Sequence, residues 1–259
     1  MNGSLNTKQL QGKIAIITGG ASGLGFGIAS RFVAEGAQVI LADIDSEGGA
    51  RAAKELGGNT HFVHHDTSCV DHWRRLIDVS EESFGGLDIL VNNAGVTLMG
   101  SIEDVSIEDF DKTWAINTRG TFLGCRFAIA LMKKKKTGAI INIASVSAFK
   151  PQPELVAYNT SKAAVGLMTQ SIALHCAKSG YGIRCNSINP GVIHTPMLDK
   201  VISQVENGEA LMDSYKAMHP IGRIGQPSDI AGMAVYLASD AASFITGSAF
   251  TVDGGLGIN

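Results

Sequence analysis

Short apolar runs alternate with amphipathic segments along most of the chain. The apolar runs span residues 13–18, 38–43, 60–64, 87–91, 139–143, 183–188 and 249–252. Helical patterns lie between them, at residues 24–35, in a stretch that ends at Gly57 and Gly58, at 71–84, from 106 through 117 to about 132, and at 157–179. Continuous apolar strands that alternate with helices are typical of a parallel sheet buried on both faces.

This alternation predicts a doubly wound, Rossmann-type α/β fold with seven parallel strands and helices on both faces of the sheet. In such folds the ligand lies beyond the carboxyl ends of the strands. No linker or change of composition interrupts the pattern, so we predict one domain over residues 1–259. A chain of this length buries enough surface to fold without disulfide or metal staples.

Charge and composition exclude several functional classes. The chain has 21 basic and 24 acidic residues and a net charge of -3, so we expect no nucleic-acid partner and no membrane-surface partner. Lysines fill positions 133–136; we interpret them as a solvated helix end, with an anion-binding patch as the alternative. The polar segment 1–12 lacks a signal-peptide core, and no apolar stretch is long enough for a membrane span.

The cysteines and histidines fit no metal site. The four cysteines form neither a CxxC pair nor a zinc-ligand spacing: Cys69, Cys125, Cys176 and Cys185. They favour reduced thiols and a cytoplasmic protein. Three histidines lie within residues 61–65 without acidic or cysteine partners in a ligand pattern, so we expect ordinary strand and loop histidines and no metal.

A glycine-rich turn, TGGASGLG, follows the first predicted strand. Small residues let a backbone approach a pyrophosphate, and the next helix offers unpaired N–H groups and a positive dipole end. The spacing is T-G-x-x-x-G-x-G and differs from the best-known G-x-G-x-x-G fingerprint. Its position in the first strand–turn–helix unit predicts dinucleotide binding through Gly19, Ser22, Gly23, Leu24 and Gly25.

Asp43, at the end of the second strand, predicts the cofactor. A carboxylate there can accept hydrogen bonds from the adenosine ribose and would repel the 2′-phosphate of NADP. Neither the glycine turn nor Ile44 supplies an Arg or Lys, so we predict NAD. A simple turn aspartate is the alternative, because Asp45 is nearby. After the third strand, Asp66 and Thr67 are expected beside the adenine.

The chain resembles the single-domain branch of the short-chain dehydrogenase/reductase family over residues 10–255. The resemblance rests on the glycine turn and on further motifs in order: Asn92-Asn93-Ala94-Gly95, Asn117, Ser145, Tyr158-x-x-x-Lys162 and Pro190-Gly191. It implies that Asn93, Ala94 and Gly95 line the ribose side. It also implies that the turn after the sixth strand holds the nicotinamide end through Pro190, Gly191, Val192, Ile193 and Thr195. Of these, Val192 would meet the carboxamide by its backbone and Thr195 by its hydroxyl.

The predicted catalytic chemistry centres on Tyr158 and Lys162, which are four residues apart and share a helix face. A phenol titrates near about pH 10, and we expect the ammonium to lower that pKa and make Tyr158 a usable general acid/base. Ser145 would polarise the substrate oxygen; Ser147 is the alternative, and only the interval to Tyr158 selects Ser145. By resemblance, Asn117 bends its helix and holds a proton-relay water, with a structural role as the alternative.

Residues 195–218 depart from the strand–helix rhythm and are rich in apolar side chains. In the resembling family this region caps the substrate, and methionines suit a bulky apolar ligand; an ordinary amphipathic helix is the alternative. The expected pocket residues are Val96, Met99, Ser145, Phe149, Gln152, Glu154, Leu155, Tyr158 and Met197. No Arg cluster is present to bind a carboxylate or phosphate.

The resemblance is greatest to bacterial 3β/17β-hydroxysteroid dehydrogenases and related secondary-alcohol dehydrogenases. It implies hydride transfer between NAD(H) and an apolar secondary alcohol or ketone, by a homotetramer that acts on small molecules. An NAD-binding regulatory or interaction protein on the same fold is the alternative. A sugar-nucleotide epimerase is disfavoured, because such chains usually carry a different glycine spacing and a longer C-terminal substrate domain.

Overall fold

Seven parallel strands form one sheet in the order β3-β2-β1-β4-β5-β6-β7, in a computed structural model that describes residues 8–203 and 205–259. The strands are β1 (Ile14–Thr18), β2 (Gln38–Asp43), β3 (Thr60–His64), β4 (Ile89–Asn92), β5 (Gly138–Ile143), β6 (Ile183–Pro190) and β7 (Ala249–Val252). The order reverses between β1 and β4, which creates the crevice where doubly wound folds bind ligands. The predicted fold class is confirmed.

Nine α-helices connect the strands within the described residues. They are α1 (Gly23–Ala34), α2 (Ser46–Leu56), α3 (Val70–Phe84), α4 (Ile107–Thr113), α5 (Gly120–Lys135), α6 (Val156–Lys178), α7 (Pro196–Ser203), α8 (Gly208–Met218) and α9 (Pro227–Ala238). The long helix predicted from residue 106 to 132 is α4 and α5 joined by a π-helical segment, Trp114–Arg119. Helix α9 was not predicted, although Pro227 at its first position is a typical start signal.

The sheet is buried on both faces, which explains its unbroken apolar strands. Ile17 and Leu41 face a core that includes Phe32 of α1. Their neighbours along the strands point the other way; Ile16, for example, faces a core that contains Trp73 of α3. Each fully buried side chain of this size contributes about 1.5–3 kcal/mol, so the two cores hold the strand ends and their loops in place.

The described residues also bear on the expectations for the lysine run, for membrane-spanning helices and for the cysteines. The lysine run lies in the last turn of α5 and at its C-cap, which confirms the predicted helix end. None of the described helices has the length and apolarity needed to span a membrane. The four cysteines are free thiols. Most of the polar segment 1–12, and position 204 of the predicted cap, lie outside the described residues.

Candidate active site

A cleft of about 490 Å³ opens at the carboxyl ends of the strands. With two exceptions, every predicted cofactor and catalytic residue lines it. The exceptions are Gly25 and Asn117, which lie behind the cleft wall. Two further pocket candidates, Phe149 and Glu154, are not among the lining residues; Phe149 instead packs close to Gly257.

The glycine turn is shaped by close backbone packing at one end of the cleft. Gly19 has a φ of +64°, a conformation that favours glycine. A Cβ on Gly25 would lie 2.1 Å from the carbonyl oxygen of Gly19, so Gly25 lets α1 pack against the turn. Ser22 precedes α1 and makes no side-chain cap hydrogen bond. The first N–H groups of the helix therefore remain suited to an anionic ligand.

The loop after β4 is tied to this turn by Thr18, a residue the sequence analysis did not single out. Thr18 Oγ1 accepts hydrogen bonds of 3.0 Å from the backbone N–H groups of Asn93 and Ala94. The Asn93 side chain donates to the carbonyl oxygens of Thr18 and Gly19 at 2.9 and 3.1 Å. The two loops thus form one rigid wall of the cleft.

Two carboxylates lie on the side of the cleft formed by β2 and β3. Asp43 accepts hydrogen bonds of 3.0 Å from the N–H groups of Ala21 and Asp45, so it anchors the glycine turn as well as facing the cleft. Asp66 accepts from the N–H and the hydroxyl of Ser68 at 2.8 and 2.7 Å. Burial acts to raise the pKa of Asp66, but the two Ser68 hydrogen bonds outweigh it and lower the pKa below its usual value.

Ser145 and Tyr158 meet at the other end of the cleft. Ser145 follows β5, and its hydroxyl oxygen accepts a hydrogen bond of 3.1 Å from the N–H of Ser147. The side chains of Ser145 and Thr97 act on the Tyr158 hydroxyl and lower its pKa. Of the two candidate serines, both of which line the cleft, Ser145 is the one that affects the pKa of the phenol. Thr97 was not predicted, although it directly follows the predicted pocket residue Val96.

The electrostatics of Tyr158 differ from the expectation drawn from the sequence. Burial of the phenol raises its pKa, and the hydrogen bonds to Ser145 and Thr97 offset only part of that rise. Lys162 Nζ lies 5.7 Å from the centre of the tyrosine ring. The net shift in the free protein is therefore opposite to the lowering expected from the ammonium, and its causes are burial, Ser145 and Thr97.

Lys162 is buried on the wall behind Tyr158. Its Nζ donates a hydrogen bond of 2.8 Å to the carbonyl oxygen of Ile143, and burial lowers its pKa to about 8. A Cβ on Gly95 would lie 3.5 Å from Nζ. Glycine at this position therefore leaves the ammonium accessible from the cleft.

Asn117 lies in the π-helical segment between α4 and α5, where the resemblance implied a bent helix. Its side chain pairs with the backbone of Val96, accepting from the N–H at 2.9 Å and donating to the carbonyl at 3.0 Å. It also donates to the Ser161 hydroxyl at 3.0 Å. Asn117 thus positions the loop that carries Val96 and Thr97, and the water relay stays a prediction.

The turn after β6 pairs the backbone groups of Val192 within the protein, which bears on the carboxamide contact expected of them. The N–H of Val192 donates to His219 Nε2 at 3.2 Å, and its carbonyl accepts from Gly225 N–H at 2.8 Å. Both backbone groups of Val192 are therefore paired within the protein, and a carboxamide contact through them would require one bond to break. The backbone N–H of Ile193 has no protein partner among the described residues, so it is better placed for that contact.

Helices α7 and α8 cover the mouth of the cleft. Neither helix buries a residue within the described chain, which is the pattern of a cap rather than of a core helix. Met197, Leu198, Val201 and Tyr215 face the cleft from the cap. The Thr97 hydroxyl lies 3.7 Å from Met197 Sδ and so links the catalytic wall to α7.

The chain is similar over nearly its whole length to known proteins. A family profile described as Enoyl-(Acyl carrier protein) reductase matches residues 19–257. The chain is 45% identical to the NADP-dependent (R)-specific alcohol dehydrogenase of Lentilactobacillus kefiri, over 96% of this chain and 98% of that protein. It is 41% identical to the 3-beta-hydroxysteroid dehydrogenase of Comamonas testosteroni, over 95% and 96%.

The fold is also found in a solved structure. The crystal structure of gox2181 superposes with a TM-score of 0.92 at 32% sequence identity, covering 98% of both chains. Sequence similarity of this extent, together with the glycine turn and the Ser145–Tyr158–Lys162 cluster, shows that the chain belongs to the short-chain dehydrogenase/reductase family.

Proposed function

We propose that this protein is an NAD-dependent dehydrogenase that interconverts apolar secondary alcohols and ketones. The observation that carries the proposal is the convergence of Ser145, Tyr158 and Lys162 at one end of a cleft whose other end is the glycine turn. Hydride transfer needs both a dinucleotide site and an acid/base group in one cleft, and this cleft provides residues suited to each.

The residues of the cleft fit a nicotinamide dinucleotide. The uncapped start of α1 suits the pyrophosphate, Asp43 suits the adenosine ribose, and Asp66 with Thr67 borders the adenine end. Lys162 Nζ faces the cleft beside Gly95, where it can bind the second ribose. When bound, NAD accepts a hydride, with its two electrons, from the alcohol carbon.

Tyr158 supplies the proton transfer in this proposal. In the oxidative direction its phenolate oxygen takes the proton of the substrate hydroxyl as the C–H bond breaks, and in reduction the phenol returns that proton to the ketone oxygen. Ser145 donates a hydrogen bond to the same substrate oxygen and holds it within reach of Tyr158. The ammonium of Lys162 stabilises the phenolate that forms.

We propose NAD rather than NADP, and the support is the charge around Asp43. Its carboxylate lies at the glycine turn, where it would repel a 2′-phosphate. Among the described residues that line the cleft, Lys162 is the one Lys or Arg, and it lies at the catalytic end. The Lentilactobacillus relative is NADP-dependent by name, so likeness to it does not favour either cofactor.

The proposed substrate is an apolar secondary alcohol of the cyclic, aryl or hydroxysteroid type. Apolar side chains from three segments border the catalytic end, including Val96, Leu155 and Met197, and Gln152 is among the few polar ones. The relatives act, by name, on an alcohol and a hydroxysteroid. A pocket without a charged anchor for the substrate suits such compounds.

The test is the initial rate of NAD reduction at 340 nm with secondary alcohols. The panel comprises 3β- and 17β-hydroxysteroids, cyclohexanol, cyclopentanol, 1-phenylethanol and small diols, with NADP in parallel. Turnover of one class with NAD supports the proposal, and a preference for NADP overturns the role given to Asp43. NAD binding without turnover of any compound would instead favour a regulatory protein.

We also propose a homotetramer in the cytoplasm. Phe122 of α5, Leu167 and Leu174 of α6, and Phe244 before β7 are large apolar side chains that are exposed in the single chain. Exposed apolar groups on neighbouring helices favour an interface with further copies. Four free thiols suit a reducing compartment. Light scattering after size-exclusion chromatography tests the oligomer, and a monomer at micromolar concentration would contradict it.

A further inference from the structure

His219 is bonded to two parts of the cleft, the end of α8 in the substrate cap and the turn after β6. It follows α8 directly, and although α8 buries none of its own residues, His219 is only 3% exposed. Its Nδ1 lies 2.6 Å from the carbonyl oxygen of Tyr215, which lines the cleft from the cap. Its Nε2 lies 3.2 Å from the N–H of Val192 in the turn after β6.

These contacts define the tautomer of His219. A carbonyl oxygen accepts hydrogen bonds and a backbone N–H donates them, so Nδ1 must carry the proton and Nε2 must accept. Both ring nitrogens are therefore satisfied within the protein. The ring also packs closely: a Cβ on Gly191 would lie 2.9 Å from Nε2, so glycine in the turn makes room for it.

We infer that His219 is a positioning residue that couples the substrate cap to the nicotinamide turn. Its bond to Val192 keeps the turn in the conformation that leaves Ile193 N–H free for the cofactor. Its bond to Tyr215 keeps the last turn of α8 over the substrate end of the cleft. This inference rests on the proposed function, and it assigns to His219 no contact with substrate or cofactor.

Two amide substitutions separate the two bonds, because each amide can replace only one of the two ring nitrogens. In His219→Asn the amide nitrogen can occupy the position of Nδ1 and still donate to Tyr215, but Val192 N–H loses its acceptor. In His219→Gln the amide oxygen can reach the position of Nε2 and accept from Val192, but the bond to Tyr215 is lost. Each variant leaves one backbone group without its partner, the N–H of Val192 or the carbonyl oxygen of Tyr215, at a cost of about one hydrogen bond.

The experiment measures NAD binding by calorimetry without substrate, and the KM of the best alcohol by initial rates. For His219→Asn we expect a roughly tenfold higher dissociation constant for NAD, with the alcohol KM changed less than about threefold. For His219→Gln we expect a roughly tenfold higher KM for the alcohol, with the dissociation constant for NAD changed less than about threefold. His175→Asn, at an exposed histidine of α6, is the matched control and should change neither constant.

Equal changes in both variants, or lower melting temperatures with unchanged constants, would show a merely structural histidine and overturn the inference. Unchanged constants and unchanged stability would overturn it as well. Because NAD binding is measured without substrate, that arm is informative even if the wild type oxidises none of the alcohols. If the wild type binds NADP instead, the same comparison is made with NADP, and only the cofactor proposal fails.

Discussion

Lys162 Nζ lies 5.7 Å from the centre of the Tyr158 ring, while the Ser145 and Thr97 side chains act on the phenol and lower its pKa. The ammonium therefore lies over the ring, and two neutral hydroxyls act on the phenol oxygen. This arrangement assigns separate tasks to each group: Ser145 and Thr97 orient the phenol, and Lys162 supplies charge. Substitutions at Tyr158 and Thr97 test that division.

Removal of the Tyr158 hydroxyl should abolish turnover and leave cofactor binding nearly intact. In Tyr158→Phe the ring still packs in its place, but no group remains to exchange the substrate proton, so we expect kcat to fall by about 10²–10⁴-fold. NAD binding measured by calorimetry should stay within about threefold of wild type. Near wild-type turnover in this variant would rule out the role given to Tyr158.

Thr97→Val should weaken the orientation of Tyr158 without removing its chemistry. Valine keeps the shape of threonine but loses the hydroxyl that lowers the phenol pKa. We expect kcat to fall about tenfold, in proportion to one lost hydrogen bond to an ionising group. Thr160→Val is the matched control, since Thr160 on α6 bonds only to carbonyl groups of its own helix. An equal loss in both variants would count against a specific role for Thr97.

Hydrophobic periodicity and the order of the motifs predicted the fold and most of the cleft, because both depend on residues that are near one another in the sequence. Buried parallel strands must be apolar throughout, and Tyr158 and Lys162 must share a helix face at their spacing. The residues that were missed depend on packing between distant segments. His219 reaches Val192 across 27 positions, and Thr18 reaches Ala94 across 76. The sign of the Tyr158 pKa shift was also missed, because burial is a property of the folded cleft.

Asp43→Asn should relax the choice of cofactor. Asparagine keeps one acceptor for the backbone contacts but removes the charge that would repel a 2′-phosphate. We expect the ratio of kcat/KM for NAD to that for NADP to fall at least about tenfold. Adding Ile44→Arg, at a side chain that is 67% exposed, should lower the ratio further. Asp45→Asn is the control and should leave the ratio unchanged.

The two directions of the reaction should respond oppositely to pH. Oxidation needs Tyr158 as a phenolate, whereas reduction needs it protonated. Burial raises the pKa of the phenol, so the free protein carries a neutral tyrosine at pH 7. We expect kcat/KM for alcohol oxidation to rise from pH 7 into the alkaline range, while that for ketone reduction stays level and falls only as the pH approaches the raised pKa of the phenol. Thr97→Val should move both curves to higher pH, and parallel curves for the two directions would contradict the assignment.

His65 should make the protein sensitive to acid. Its ring is 2% exposed, neither ring nitrogen has a partner among the described residues, and burial followed by the nearby His72 lowers its pKa to about 4. As the pH falls from 6.5 to 4, the unfolded chain binds a proton that the folded protein cannot, so the free energy of unfolding should drop by about 3 kcal/mol. In His65→Leu that part of the drop should vanish, as measured by urea unfolding at several pH values. The exposed control His175→Leu should follow the wild-type slope, and an equal slope in His65→Leu would show that another group causes the acid sensitivity.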